Sequence, residues 1–486
     1  MVEHEIRFRV PDTMADAVLA EMIRISGERA VTSLRAVYFD TAGRDLAAAG
    51  IGLRLRREGT DWVQTAKTAS ADGLSRLEHN LPRDEACLDL PAFAGRKGLE
   101  ALGDATALAR LQDTLVAVFE TDIERRRTVV RTYAQGERGV IEIAFDRGRL
   151  IAGGRRAPVC ELEFELLGGD LDAIWAVAEP WVARFGLTAL PAGKAERGHR
   201  LRSGGAPPCV RAGDIHARPD DPVQHAYARA FDDCYRQIAI NASSIVVGTA
   251  NDEHVHQLRV GLRRLRVMLR LFEAWVEPVP PDTLAALVDA FRALGKGRDR
   301  DVYRGEILPA IMSAGGDAPA PEALFAGRVP DLAAVCSASA FQIGLLRLQR
   351  HRHRLGIRDG GGALSSLARP RVAAWAKAIG KRARRFDRAT VDERHDLRKR
   401  IKRLRYAVDL LAPLLPRRWR SIAKSMARAQ QSLGRWCDLN MARERLRETE
   451  PDGFAHGWAV AKIEICERGL SGDMKRLARV IDKALR

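Results

Sequence analysis

Through its first 200 residues the chain alternates apolar and polar positions, the period-two pattern of half-buried strands. In Glu3-His4-Glu5-Ile6-Arg7-Phe8, the residues Glu3, Glu5 and Arg7 share one strand face. Arg54 and Arg56 alternate within residues 51–57, and residues 62–67 read as a further strand ending on Lys67. Arg76, Glu78 and Asn80 alternate next, as do Arg125 and Arg127. Glu142 and Asp146 oppose Ile141, Ile143 and Phe145, and Glu161, Glu163 and Glu165 line one side of residues 160–166. From about residue 223 the alternation gives way to longer apolar periods. A two-domain α+β chain follows, with antiparallel strands first and an all-α domain of two related bundles after.

The helical half is organised around one helix and its later copy. Residues 256–272 and 395–411 are related by an offset of 139 residues, and the register persists past both helices. Leu294-Gly295 falls on Leu433-Gly434, Asp299 on Asp438 and Asp301 on Asn440, which marks an internal duplication. On a helix, His256, Arg259, Arg263, Arg266 and Arg270 form one stripe roughly 80° wide. His395, Arg398, Lys402 and Arg405 repeat it, while Leu258, Leu262, Leu265, Leu269 and Phe272 occupy the opposite side. The stripe has almost no acids one turn away to neutralise it, as an ordinary surface helix would. Two such stripes facing each other would form a trough for a polyanion.

Charge sharpens this division. Residues 1–200 carry 28 basic and 31 acidic side chains, whereas the remaining 286 residues carry 52 and 32. The basic excess therefore lies wholly in the second part, which suits a large anionic partner. Nucleic acid is disfavoured, because the stripes carry no interleaved aromatic side chains for base stacking. The Gly/Pro-rich segment 203–217 reads as a linker between domains at 1–202 and 218–486. No apolar run approaches the ~20 residues of a membrane span. The seven scattered cysteines lack metal-ligand spacing, and the charged start 1–7 has no signal-peptide character. A cytoplasmic, reduced protein with no membrane partner is expected.

The strand faces carry candidate chemistry. Glu3 and Glu5 with Glu161, Glu163 and Glu165 can hold a hard divalent cation, which prefers oxygen ligands. Arg7, Arg54, Arg56, Lys67, Arg76 and Arg125 can neutralise several phosphates, arginine through bidentate forks. Closed into a barrel with these faces inward, the strands would enclose a site for metal and polyphosphate.

Several motifs resemble the CYTH domain, the family of triphosphate tunnel metalloenzymes. They are Glu3-x-Glu5-x-Arg7, Tyr38-Phe39-Asp40-Thr41, Gly52-Leu-Arg54-Leu-Arg56, Thr65-Ala-Lys67, Glu142 to Asp146, Cys160 to Glu165 and Lys194-Ala-Glu-Arg197-Gly. The resemblance implies a closed eight-stranded antiparallel tunnel that binds triphosphates with Mg²⁺ or Mn²⁺. It places metal on Glu3, Glu5, Glu161 and Glu163, catalysis on Glu3, Glu5 and Arg7, and phosphates on Arg54, Arg56, Lys67, Arg76, Arg125 and Lys194. Two positions depart from the family pattern: Arg7 stands where the first motif ends in Lys, and Gly193 where many relatives carry Ser.

The second half is similar to the CHAD domain, a helical family associated with inorganic polyphosphate. The resemblance rests on Val255-His256-Gln-Leu-Arg259, Arg263-Arg264-Leu-Arg266, Leu294-Gly295 with Arg298 to Val302, and their second-copy counterparts. It implies polyphosphate ligands at His256, Arg259, Arg263, Arg266, His395, Arg398, Lys402 and Arg405. Together the two resemblances imply a divalent-metal-dependent inorganic triphosphatase that also binds polyphosphate. A weakly active polyphosphate-binding protein associated with granules is the alternative.

Overall fold

A computed structural model describes residues 2–26, 31–68, 74–133, 138–213, 218, 221–295, 297–325, 330–355 and 364–486. The chain divides into two compact units. One holds Met1–Arg211 with Tyr235–Leu258 and Cys336–His353; the other holds Ala212–Cys234, Arg259–Val335 and Arg354–Arg486. Residues 214–217 of the expected linker lie outside the described residues.

The first unit is built on β1 (Val2–Arg9), β2 (Thr32–Thr41), β3 (Ile51–Glu58), β4 (Asp61–Thr68) and β5 (Ser75–Arg83), followed by β6 (Leu115–Thr132), β7 (Gly139–Ala152) and β8 (Arg155–Gly169). They pair antiparallel in the order β5-β4-β3-β2-β6-β7-β8-β1, and pairing of β1 with β5 closes the barrel. A two-residue strand, β9 (Thr188–Ala189), adds to β1. The expected eight-stranded antiparallel barrel is therefore present.

Period-two alternation decides which face each side chain takes. Ile6, Phe8, Ile141, Ile143, Phe145, Leu162 and Phe164 turn outward into one buried cluster with Trp175, Trp181 and Phe185 of the Asp172–Phe185 helix. Ile51 and Leu53 turn outward under Leu46, Phe93 and Leu99. The charged residues between them are left to face inward. Most barrels of this size fill their interior with apolar side chains; this one encloses charge, and the apolar residues that share its inward faces, among them Leu34, Phe119, Ile123, Leu150 and Val159, gather in a separate cluster with Ala195 and Leu201.

The helical region repeats the basic helix as Asp252–Phe272 and Val391–Leu410, which start at equivalent positions of the duplication. The second begins with a capping box, Thr390 accepting from the Glu393 amide while Glu393 accepts from the Thr390 amide. In the second unit, Leu397, Ile401 and Leu404 are buried, and the same helix packs against Trp419–Thr449. That helix in turn pairs with Phe454–Leu485 as a long hairpin. No described helix is long and apolar enough to cross a membrane.

Candidate functional site

Inside the barrel, most of the predicted carboxylates meet cations, Glu142 and Glu165 being the exceptions. Lys67 Nζ lies 2.9 Å from Glu3 Oε2 and also pairs with Glu78. Arg76 Nη1 donates to Glu5 Oε1 at 2.6 Å, and Arg7 Nη1 stands 3.8 Å from the same oxygen. Arg54 Nη2 is 3.5 Å from Glu78, and its Nη1 donates to the Tyr38 hydroxyl at 3.4 Å. Arg125 donates to both oxygens of Asp146, at 2.6 and 2.7 Å, and to Glu163 Oε2 at 2.6 Å.

Lys194 closes the arrangement from another element. The Lys194–Ser203 helix packs Ala195 and Leu201 against the cluster of Leu34, Phe119, Leu150 and Val159. Its first residue thereby enters the interior, where Nζ lies 2.8 Å from Asp146, 3.2 Å from Glu161 and 2.7 Å from Glu163. Arg197, one turn on, also pairs with Glu161. Burial would push the Glu163 carboxyl up, but Lys194, Arg125 and Arg7 hold it well below the ordinary range. Asp146 is lowered in the same way, with Lys194 and Arg125 overcoming its burial.

The cations are also crowded against one another. Burial, then the charge of Arg54, pushes the Arg56 guanidinium down to about 10, against the opposing pull of Glu58 and Tyr38. Burial and the Arg7 charge lower Arg76 likewise. A polyanion would relieve both. Tyr38 shares this environment: burial opposes its ionisation, yet Arg54 beside it holds the hydroxyl below its usual value. Tyr38 and Arg197 lie within the motifs of the resemblance and Glu78 alternates with Arg76, but spacing along the chain assigned none of them a partner; the strands and helix they meet do so.

The metal-ligand set is arranged differently from a compact cluster. Among the described residues, no three His, Cys, Asp or Glu side chains gather closely enough to enclose an ion. Glu161 and Glu163 are engaged by Lys194, Arg125 and Arg197. A second set lies in register across three strands: Glu5 pairs with Glu165, and Glu165 with Glu142. Burial and the charges of Glu3, Glu142 and Glu5 push the Glu165 carboxyl up to about 7. Oxygen donors with excess negative charge are the chemistry that a hard divalent cation prefers, but the three do not gather closely enough to enclose one.

The two departures from the family pattern meet in space. Arg7 Nη2 donates to the Pro191 carbonyl at 3.2 Å, and a Cβ on Gly193 would stand 2.8 Å from Arg7 Nη1. The absent side chain at 193 is what makes room for the wider cation at 7.

On the second unit, the first stripe is built around a ring. The guanidinium carbons of Arg259, Arg263 and Arg266 lie 5.1, 5.6 and 5.9 Å from the Phe291 centroid. Sequence spacing along the stripe could not show this, because Phe291 comes from the Pro281–Ala293 helix. Gly295 lies against Arg259, and its duplicate Gly434 lies against Arg398: an added Cβ would meet the guanidinium at 2.7 and 3.5 Å respectively. His395 Nδ1 is 3.4 Å from Cys437 Sγ, and its ring is 5.7 Å from Trp436, whereas His256 is exposed. Lys402 and Arg405 are half-buried, the latter 3.8 Å from Asp409. Burial, then Arg270, Arg400 and Arg266, bears on Arg403, so the C-terminal halves of both basic helices lie within electrostatic reach.

A closed barrel with an inward-facing charged surface, joined to a duplicated basic helical region, defines a two-domain class. Residues 1–194 match the CYTH domain and residues 229–447 the CHAD domain. The chain belongs with the proteins that join a CYTH domain to a CHAD domain. It is 33% identical over 169 residues to an inorganic triphosphatase from Haemophilus influenzae, covering 34% of this chain and 45% of that protein. The match thus spans less than half of that relative's length. Among solved structures, the CHAD domain from the plant Ricinus communis is 25% identical, covering 57% of this chain and 96% of that one at TM-score 0.46. PptA from Streptomyces chartreusis is 13% identical, covering 54% and 99% at TM-score 0.36.

Proposed function

We propose that this protein is a divalent-metal-dependent phosphohydrolase that cleaves inorganic triphosphate inside the barrel. The reading is carried by the enclosed crowd of like charges, above all half-buried Arg56 beside Arg54, which a polyanionic occupant would relieve. The likeness to an inorganic triphosphatase supports the substrate class. Arg54, Arg56, Lys67, Arg76, Arg125 and Lys194 would bind the phosphates, and Glu3, Glu5 and Arg7 would act at the reacting end. CYTH enzymes are metal-dependent, and Mg²⁺ or Mn²⁺ would be held by Glu3 and Glu5 together with carboxylates of β8 (Glu161, Glu163 and Glu165). Bound there, the cation supplies charge neutralisation to phosphoryl oxygens. The arginines spread the charge of the transferred group, and a tunnel carboxylate orients the attacking water in line.

Phosphate release from tripolyphosphate is expected with Mg²⁺ or Mn²⁺ and is expected to stop in excess EDTA. Undiminished release in EDTA would remove the metal from the mechanism, and no release with either ion would remove the triphosphatase reading.

The helical region, on the same proposal, binds long-chain polyphosphate through the two stripes, and this would place the protein at polyphosphate granules. Affinity should fall steeply with salt, because each neutralised phosphate releases counterions. Replacing Arg259 and Arg263 together by Gln, or Arg398 and Lys402, should weaken binding at least tenfold in a filter-binding assay. Replacing exposed Lys381 and Arg385 changes net charge equally and should do much less. Equal losses would reduce the stripes to an ordinary basic surface.

A further inference from the structure

The Ser339–His353 helix falls within the CHAD match, yet it packs in the same compact unit as the barrel. Leu346 is buried, and Ile343 half-buried, against the cluster that holds Ile6, Phe8 and Trp175. Arg347 grips Glu179 with Nε at 3.1 Å from each carboxylate oxygen, and Arg350 Nε donates to Asp172 at 3.0 Å. These contacts hold the helix against Asp172–Phe185, on the outside of the barrel.

One contact goes further. Gln342 is 2% exposed, and its side-chain amide is used at both ends. Its Oε1 accepts from the Ala189 backbone amide at 2.8 Å, while its Nε2 donates to the Cys336 carbonyl at 2.5 Å. Ala189 belongs to β9, which pairs with β1 at Phe8. The next residue, Leu190, donates its amide to the Arg7 carbonyl at 2.9 Å, and the Pro191 carbonyl accepts from the Arg7 guanidinium. Ala192, Gly193 and Lys194 follow. Gln342 thus fixes the start of a segment that bonds Arg7 at Leu190 and Pro191 and reaches Lys194 five residues on.

We infer that Gln342 is a positioning residue for the tunnel site, setting Arg7 and Lys194 through β9 from a helix outside the barrel. The inference rests on the triphosphatase reading for its catalytic consequence alone. A buried side chain bonded at both ends is costly to replace with an apolar one, because it leaves the half-buried Ala189 amide without its acceptor. The loss would be felt first in the 187–194 segment, where it releases the backbone that carries Lys194 into the acidic cluster.

The full-length chain carrying Gln342→Met, which keeps length and shape, should be compared with wild type and with Arg347→Met/Arg350→Met. The double variant removes the outer ion pairs of the same helix but leaves the link to β9. Deuterium exchange in a peptide spanning 186–193 should be at least tenfold faster in Gln342→Met and unchanged in the double variant. The kcat for tripolyphosphate with Mg²⁺ should fall at least tenfold in Gln342→Met, while the double variant lowers Tm without changing kcat. Equal exchange in all three proteins, or kcat falling in step with Tm across both variants, would overturn the inference. A wild-type chain with no turnover would sink the triphosphatase reading, and the exchange result would still decide whether Gln342 pins this segment.

Discussion

Replacing Lys194 by Met should destabilise the fold by about 3–5 kcal/mol, the cost of leaving buried charge uncompensated. Its ammonium sits among Asp146, Glu161 and Glu163, all on the inner face, and both Asp146 and Glu161 are about 1% exposed. Burial opposes the Lys194 charge, but Asp146, Glu161 and Glu163 overcome it and raise its pKa. In the intact protein the lowered pKa values of Asp146 and Glu163 contribute stability that is present above the ordinary carboxylate range near pH 4. That contribution is lost as pH falls through their folded values. Removing Lys194 reverses the sign: Arg125, Arg197 and Arg7 remain, but without the cation that touches all three carboxylates, burial should make one of them hold its proton more tightly folded than unfolded. The gap between variant and wild type should therefore narrow as pH falls from 7.5 to 5. Urea denaturation at both values measures it. A loss under ~1 kcal/mol, or one unchanged with pH, would show that water already solvates this cluster.

Gly193→Ser should reduce tripolyphosphate turnover at least tenfold, and adding Arg7→Lys should restore most of it. A Cβ at 193 meets Arg7 Nη1 at 2.8 Å and Nη2 at 3.4 Å. The guanidinium is the far end of a flexible side chain, so the fold itself should survive. Its freedom to retreat is limited, however, because Arg7 is 7% exposed, bonds Pro191 and stands beside Glu5. A lysine there is narrower and leaves the serine its space. Recovery of about tenfold in the double variant corresponds to a coupling of ~1.4 kcal/mol, within the range for residues in contact. Additive effects of the two changes would mean that positions 7 and 193 are independent.

Much of this architecture was legible without coordinates. Period-two alternation put Glu3, Glu5, Arg54, Arg56, Glu161 and Glu163 on single strand faces, and those faces do line the barrel interior. Alternation is a local property, so it survives in any sheet that buries the opposite side. The duplicated stripe was equally readable, since 3.6-residue periodicity is set by the helix alone.

Pairing between distant segments was not readable. That Lys194 meets Glu161 and Glu163 depends on where a helix docks its Ala195 and Leu201. Glu5, Glu165 and Glu142 form a row only because β1, β8 and β7 pair in one register, and a shift of one residue would scatter them. Phe291 reaches Arg259, Arg263 and Arg266 from another helix, and Gln342 reaches Ala189 across 153 residues of sequence. The chain's own periodicities determined which residues are charged, on which face, and in how many copies. Register and docking decided which charge meets which, because Coulomb and hydrogen-bond energies depend on distances of a few ångström that no spacing along the chain encodes.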